Sequence, residues 1–123
     1  MMLGAFFSVA VGGALGASLR YGLGLWLRTD GFPVAVLTAN ILGSFLMGLA
    51  FVALNRAGLP HWQPLLMTGI LGGFTTYSTF SLEAYTLWER GQTSAAASYV
   101  GVSVVGALVA VAAGIWLGRG IWT

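Results

Sequence analysis

The chain has 123 residues, of which 58% are hydrophobic and only 7% are charged. Soluble domains carry roughly 25% charged residues, so this composition indicates a single integral membrane domain. Five basic residues, all arginine, give a net charge of +2, which is too sparse for a nucleic-acid surface. The chain has no cysteine, which excludes disulfides and thiolate metal sites.

Four apolar segments are long enough to cross a membrane as helices. They are predicted at residues 2–27, 33–54, 62–88 and 94–117, so one all-α transmembrane domain covers residues 1–123. Short loops join the spans, and the five tryptophans lie near span ends, as expected for an interfacial belt. A cleavable signal peptide is not expected, because the first apolar run lacks a basic n-region and is already long enough to span.

The arginines in the loops and at the C-terminal end are divided equally between the two sides of the membrane. With four spans, Arg56 and Arg119 lie on one side and Arg28 and Arg90 on the other. An excess of positive charge on one side is what orients membrane proteins, so neither orientation is favoured. Two interpretations stay open. The balance is statistical noise in a very small protein, or the chain inserts both ways and pairs as an antiparallel homodimer.

Residues 69–83, with the sequence GILGGFTTYSTFSLE, interrupt the third predicted span at its middle. Glycines weaken a helix and β-branched threonines are stiff, so the stretch favours a break. Irregular backbone at membrane depth is tolerated only inside protein or beside a water-filled cavity. The two helix ends would offer carbonyls to a cation and N–H groups to an anion. The many hydroxyls favour an ion or solute site over the alternative, a close-packed glycine crossing.

Among the polar side chains within the predicted spans, Arg20, Asn40 and Glu83 are candidates for a role in function. Arg20 would raise the anion concentration in a vestibule, or alternatively extend to the nearby interface. Asn40 offers an amide donor for an anion, or an interhelical hydrogen bond. Glu83 is a candidate functional residue because of its depth, and its alternatives are a pair with Arg20 or a place at the edge of a vestibule.

Aromatic and hydroxyl side chains suggest a path beside the break. Tyr77 and Phe80 share a helix face, and their ring edges can approach an anion without trapping it, although such rings usually pack in a core. Tyr99, Ser103 and Ala107 form an i, i+4, i+8 stripe on the fourth span. Its two hydroxyls form a weak polar track, and simple packing is the alternative interpretation.

Three motifs in this order resemble the Fluc-type fluoride channels, also called CrcB proteins. They are GALGASLRY at residues 13–21, TANILGSF at residues 38–45 and the interrupted stretch at residues 69–83. The resemblance extends to span count, loop lengths and balanced charge. It implies a passive fluoride-selective channel that exports fluoride across the inner (plasma) membrane. It also implies a dual-topology antiparallel homodimer with two pores and one central structural Na⁺.

The resemblance further implies roles for individual residues. Na⁺ would lie on the backbone carbonyls of Gly72 and Thr75 from both subunits, Arg20 would form a vestibule floor, and Glu83 would lie beside the pore. The fluoride pore would comprise Asn40, Thr76, Tyr77, Thr79, Phe80, Tyr99 and Ser103. The chain departs from the family at Tyr77, usually Phe, and at Ala107, usually Ser or Thr. The first departure adds a hydroxyl to the ring, and the second removes one hydroxyl from the polar track.

Two other classes of protein are weaker interpretations. A small multidrug-type antiporter needs a carboxylate in its first span, and this first span has none. A membrane scaffold that transports nothing would not need the hydroxyl-rich interruption. An enzyme is not expected, because the lone His61 lies in a loop and the chain has no paired carboxylates or metal-ligand cluster.

Overall fold

A computed structural model describes residues 2–29 and 31–122, and every regular element within these ranges is helical. In the part of the chain that the structure describes, three helices are long and apolar enough to cross a membrane: α1 at Met2–Trp26, α2 at Val34–Arg56 and α5 at Thr93–Ile121. The predicted all-α membrane class is confirmed in this form. α5 continues four residues beyond the predicted end at residue 117. Gly118 and Gly120 weaken a helix, but this stretch contains no proline to end it.

The segment between α2 and α5 is a succession of helical pieces rather than one helix. A 3₁₀ turn at Pro60–Trp62 leads into a π-helical segment at Pro64–Leu71, called the π segment below. The short α3 at Gly72–Phe74 follows, and α4 runs over Ser78–Glu89. Residues 75–77, between α3 and α4, are not helical, and Thr75 is extended with φ −90° and ψ 157°. We refer to residues 75–77 as the break.

Glycines allow backbones to approach closely at two helix crossings. On α1, Gly12 lies against Gly69 of the π segment, and a Cβ placed on Gly12 would lie 2.9 Å from the Gly69 Cα. At the second crossing, a Cβ on Gly48 of α2 would collide with the Val111 carbonyl of α5, and one on Gly114 with the Phe45 carbonyl. Small residues are what close helix packing in membranes requires. The fold therefore pairs α1 with the π segment and α3, and α2 with α5.

Few side chains are fully buried, and most large apolar side chains of α1 and α5 are exposed. This distribution suits helices that face lipid, because lipid tails are as apolar as the exposed side chains themselves. The buried cluster lies where α4 meets the start of α5 and is formed by Leu87, Ala96 and Tyr99. Phe32, Leu37 and Phe80 pack against it, so the cluster joins the α1–α2 loop to the region just beyond the break.

Candidate functional site

Asn40 on α2 binds the break with two hydrogen bonds. Its Nδ2 donates to the Thr76 carbonyl at 3.0 Å, and its Oδ1 accepts from the Thr76 N–H at 2.8 Å. The backbone groups of Thr76 have left the helical pattern, and a single amide side chain satisfies both of them. Asn40 therefore makes an interhelical contact. One of its two Nδ2 hydrogens is not needed for Thr76.

The hydroxyls of the interrupted stretch bond mainly to nearby backbone. Thr75 Oγ1 donates to the Leu71 carbonyl at 3.0 Å, and Thr76 Oγ1 accepts from the Thr79 N–H at 3.2 Å. Ser81 Oγ donates to the Tyr77 carbonyl at 3.0 Å. Such local bonds compete with regular helix and are common at helix ends. They let α3 end and α4 begin within three residues.

Arg20 reaches the other side of the same region. Its Nε donates to the Gly73 carbonyl at 3.3 Å, and its side chain is half-buried. It also lines a cavity of about 350 Å³ together with Arg28 and Glu83. A cation at the C-terminal end of a helical segment is electrostatically favourable. Arg20 thus faces protein and a cavity.

Tyr99 lies at the centre of an aromatic group. Its ring is fully buried and lies 5.3 Å from the Phe80 ring, which lies 5.9 Å from the Tyr77 ring. The Tyr99 hydroxyl donates to Glu83 Oε1 at 3.0 Å. Within the described residues, the hydrogen-bond partner of Glu83 is therefore Tyr99 and not Arg20. Phe32, in the loop between α1 and α2, also contacts the Tyr99 ring.

Most of the residues predicted to form the functional site line a cavity of about 520 Å³ beside the break. The cavity is open on one side, where Tyr77 is 81% exposed. Five of the predicted pore residues line this cavity: Asn40, Thr76, Tyr77, Phe80 and Ser103. The other two predicted pore residues, Thr79 and Tyr99, do not line it. Gly72 and Thr75, the predicted Na⁺ ligands, also line it. The structure therefore brings side chains from α2, the break, α4 and α5 to one place.

Ser103 in the wall of this cavity has a buried hydroxyl. The residue is 5% exposed, and its Oγ makes no hydrogen bond to any described residue. A buried hydroxyl in a native protein nearly always has a partner. Ala107, one turn further along α5, lines the same cavity and contributes only a methyl group. The Ser103 hydroxyl is thus available to a small polar species in the cavity.

Comparison with known proteins shows the family of the chain. Residues 7–115 match the family described as CrcB-like protein, Camphor Resistance (CrcB). The chain is 51% identical to the "Fluoride-specific ion channel FluC" of Ruegeria sp. strain TM1040, over 99% of this chain and 100% of that protein. It is 50% identical to the protein of the same name from Roseobacter denitrificans, over 93% and 94% of the two chains. The protein of that name from Paracoccus denitrificans is 49% identical, over 95% and 96%.

These relatives are bacterial proteins named as ion channels, which confirms that the chain is not an enzyme. Together with its long apolar helices, they identify it as a multi-pass protein of the bacterial plasma membrane. The family match covers most of the chain, and relatives that are about half identical extend over nearly all of it. The protein is therefore a member of the CrcB family.

Proposed function

We propose that the chain forms a passive channel that lets fluoride leave the cytoplasm down its gradient. The observation that carries the proposal is the buried Ser103 hydroxyl, which has no hydrogen-bond partner among residues 2–29 and 31–122. It lines a cavity that Asn40 and Thr76 also line. Fluoride is small and strongly hydrated, so it needs hydrogen-bond donors that replace its water. Neutral hydroxyl and amide donors bind it weakly enough for release, as conduction requires. The names of the relatives point to the same ion.

Fluoride release from liposomes tests this proposal directly. Purified protein would be reconstituted into vesicles loaded with potassium fluoride or potassium chloride, and anion release would be followed with ion-selective electrodes after valinomycin is added. We expect rapid fluoride release that requires valinomycin, because passive anion flow needs a compensating cation. Chloride release should be slower by a large factor. Equal chloride release, or strict exchange of fluoride for protons, would refute the channel.

We also propose that the segment from Trp62 to Trp88 crosses the membrane as a broken third span between α2 and α5. The working channel would be an antiparallel homodimer with two pores. The 520 Å³ cavity is open on one side, and Tyr77 and Gly72 are exposed. These features support the proposal that a second copy of the chain closes the open side. The equal division of the arginines supports insertion in both orientations.

The dual topology predicts a specific effect of added charge. Three lysines appended after Thr123 should bias insertion toward one orientation and sharply reduce fluoride efflux when that copy is expressed alone. Co-expression with a copy biased the opposite way, by lysines placed in the loop at Arg90, should restore efflux. The measurement is fluoride resistance and efflux of cells carrying one or both copies. Full activity of the single biased copy would contradict antiparallel pairing.

A structural Na⁺ at the dimer centre would be held by the carbonyls of Gly72 and Thr75. In a continuous helix these carbonyls would accept from the N–H groups of Thr76 and Thr79. Here the Thr76 N–H donates to Asn40 Oδ1, and the Thr79 N–H donates to Thr76 Oγ1. Both carbonyls are therefore freed for another partner, and neutral oxygen ligands suit a hard monovalent cation. Such an ion would offset the converging carbonyl dipoles of the two chains.

Removal of Na⁺ should lower fluoride flux without any coupled movement of cation. Vesicles prepared with a much larger monovalent cation on both sides should release fluoride more slowly than vesicles containing Na⁺, after incubation long enough for a buried ion to exchange. Tracer ²²Na⁺ should not move with fluoride. The direct check is an experimental structure at high Na⁺, and no density between the two breaks would exclude the site.

Phe80 is expected to contribute its ring edge to the path. Phe80→Ile keeps apolar bulk but removes the positively polarised edge, so fluoride release should fall sharply while the dimer persists on a sizing column. Tyr77→Phe restores the residue usual in the family and should retain most of the flux. Unchanged release by Phe80→Ile would assign Phe80 to packing. Loss of release in Tyr77→Phe would place the Tyr77 hydroxyl in the path.

A further inference from the structure

Phe32, in the loop between α1 and α2, packs against the buried ring of Tyr99. The two ring centroids lie 5.6 Å apart and the ring planes meet at 89°, an edge-to-face pair. Tyr99 also contacts Phe80 on α4, with centroids 5.3 Å apart. An edge-to-face contact depends on ring orientation, so it restrains the angle of Tyr99 as well as its position. Tyr99 is thus restrained by two rings from two different elements.

The loop backbone orients Phe32 firmly. Gly31, just before it, has φ +108°, a conformation that L side chains rarely adopt. Pro33, just after it, restricts the chain further with its ring. The Phe32 carbonyl accepts hydrogen bonds from Thr29 Oγ1 at 2.8 Å and from the Val34 N–H at 2.9 Å. The turn therefore fixes where the Phe32 ring projects.

The position of the Tyr99 ring decides where its hydroxyl lies. That hydroxyl donates to Glu83 Oε1 at 3.0 Å, and Glu83 borders the 350 Å³ cavity that also contains Arg20. On its other side, Tyr99 touches Phe80, which lines the 520 Å³ cavity. Tyr99 therefore contacts a wall residue of each cavity, Glu83 through a hydrogen bond and Phe80 through its ring. A tilt of its ring would disturb both walls.

We propose that Phe32 is a positioning residue for the ion path, which acts by holding the Tyr99 hydroxyl on Glu83 and the Tyr99 ring on Phe80. The inference rests on the proposed channel function. It differs from a simple packing role, in which any apolar side chain of similar size would serve at position 32. The ring itself, rather than its bulk, is what the edge-to-face geometry requires.

Three variants separate these roles. Phe32→Leu keeps an apolar side chain and loses the ring, Phe32→Tyr keeps the ring, and Leu37→Val trims a neighbour packed against the same cluster. Each would be measured for fluoride release, for melting temperature, and by ¹⁹F NMR after labelling with 3-fluorotyrosine. The Tyr99 resonance is identified by its loss in Tyr99→Phe.

We expect Phe32→Leu to slow fluoride release about three- to tenfold and Phe32→Tyr to stay within about twofold of wild type, in line with the strength of aromatic pairs. Phe32→Leu should also shift or broaden the Tyr99 resonance. Leu37→Val should lower the melting temperature and leave release close to wild type. If Phe32→Leu does not fold, Phe32→Met supplies an apolar replacement that fills more of the space without a ring.

Unchanged release or an unchanged Tyr99 resonance in Phe32→Leu would overturn the inference. So would an equal loss of release in Leu37→Val at matched stability, or in Phe32→Tyr. If the wild-type protein itself releases no fluoride, the proposed function fails. The Tyr99 resonance then still decides whether Phe32 positions Tyr99.

Discussion

Asn40→Leu is expected to remove most fluoride flux while the protein still inserts and dimerises. Leucine cannot make the two bonds by which Asn40 holds the backbone of Thr76. Each buried polar group left without a partner costs about 1–3 kcal/mol, so two of them would lower the population of the intact break by roughly 30-fold or more. The freed Thr76 N–H could instead return to the Gly72 carbonyl, which would take away a proposed Na⁺ ligand.

Asn55→Leu is the matched control for this change. Asn55 lies on the same helix, and its Nδ2 donates to the Phe51 carbonyl at 2.9 Å, but the residue is exposed and far from the break. Release of fluoride from vesicles, normalised to the amount of folded protein, should fall in Asn40→Leu and stay near wild type in Asn55→Leu. Comparable release by both variants would show that the two hydrogen bonds between Asn40 and Thr76 are not needed for conduction.

Gly16→Ala is expected to destabilise the fold itself. The added Cβ would collide with the Ile70 carbonyl oxygen and lie 2.8 Å from the Phe74 nitrogen, and both atoms belong to backbone that cannot rotate away. Forcing extra volume into a packed contact costs about 1–3 kcal/mol and sometimes more. The shift would also move α3 relative to α1, and with it the bond between Arg20 and the Gly73 carbonyl.

Gly101→Ala tests whether the effect is specific to the crossing. Gly101 lies within α5, and a Cβ there would meet nothing within 4 Å. Thermal melting of the purified protein, followed by the loss of the dimer peak on a sizing column, should show a clear decrease for Gly16→Ala. Gly101→Ala should match wild type or exceed it slightly, since alanine favours helix. Equal melting of wild type and Gly16→Ala would mean that α1 and the segment around Ile70 do not approach this closely in the membrane.

The sequence by itself determined the class of the protein and the region that matters. Low charge and long apolar runs are sufficient to specify transmembrane helices. The bilayer core offers no hydrogen-bond partners, so backbone N–H and C=O groups that cross it must bond to each other. The glycines and hydroxyl residues between Gly69 and Ser81 predict an interruption, since these preferences act within a few residues along the chain. The motifs around Arg20, Asn40 and Gly72 were enough to indicate the family. These features are local or compositional, and need no knowledge of packing.

The tertiary structure decided which partners the polar groups take. Asn40 and Thr76 are 36 residues apart, Arg20 and Gly73 are 53 apart, and their bonds exist only because helices cross at particular angles. The sequence left Glu83 with Arg20 as one candidate partner, whereas the hydroxyl of Tyr99 lies within reach of it. The contact of Phe32 with Tyr99 had no signal in the sequence, because it arises where a loop folds back on the α4–α5 junction. Side-chain partners between distant elements follow from how those elements pack, and the spacing of residues along a single helix does not encode that packing.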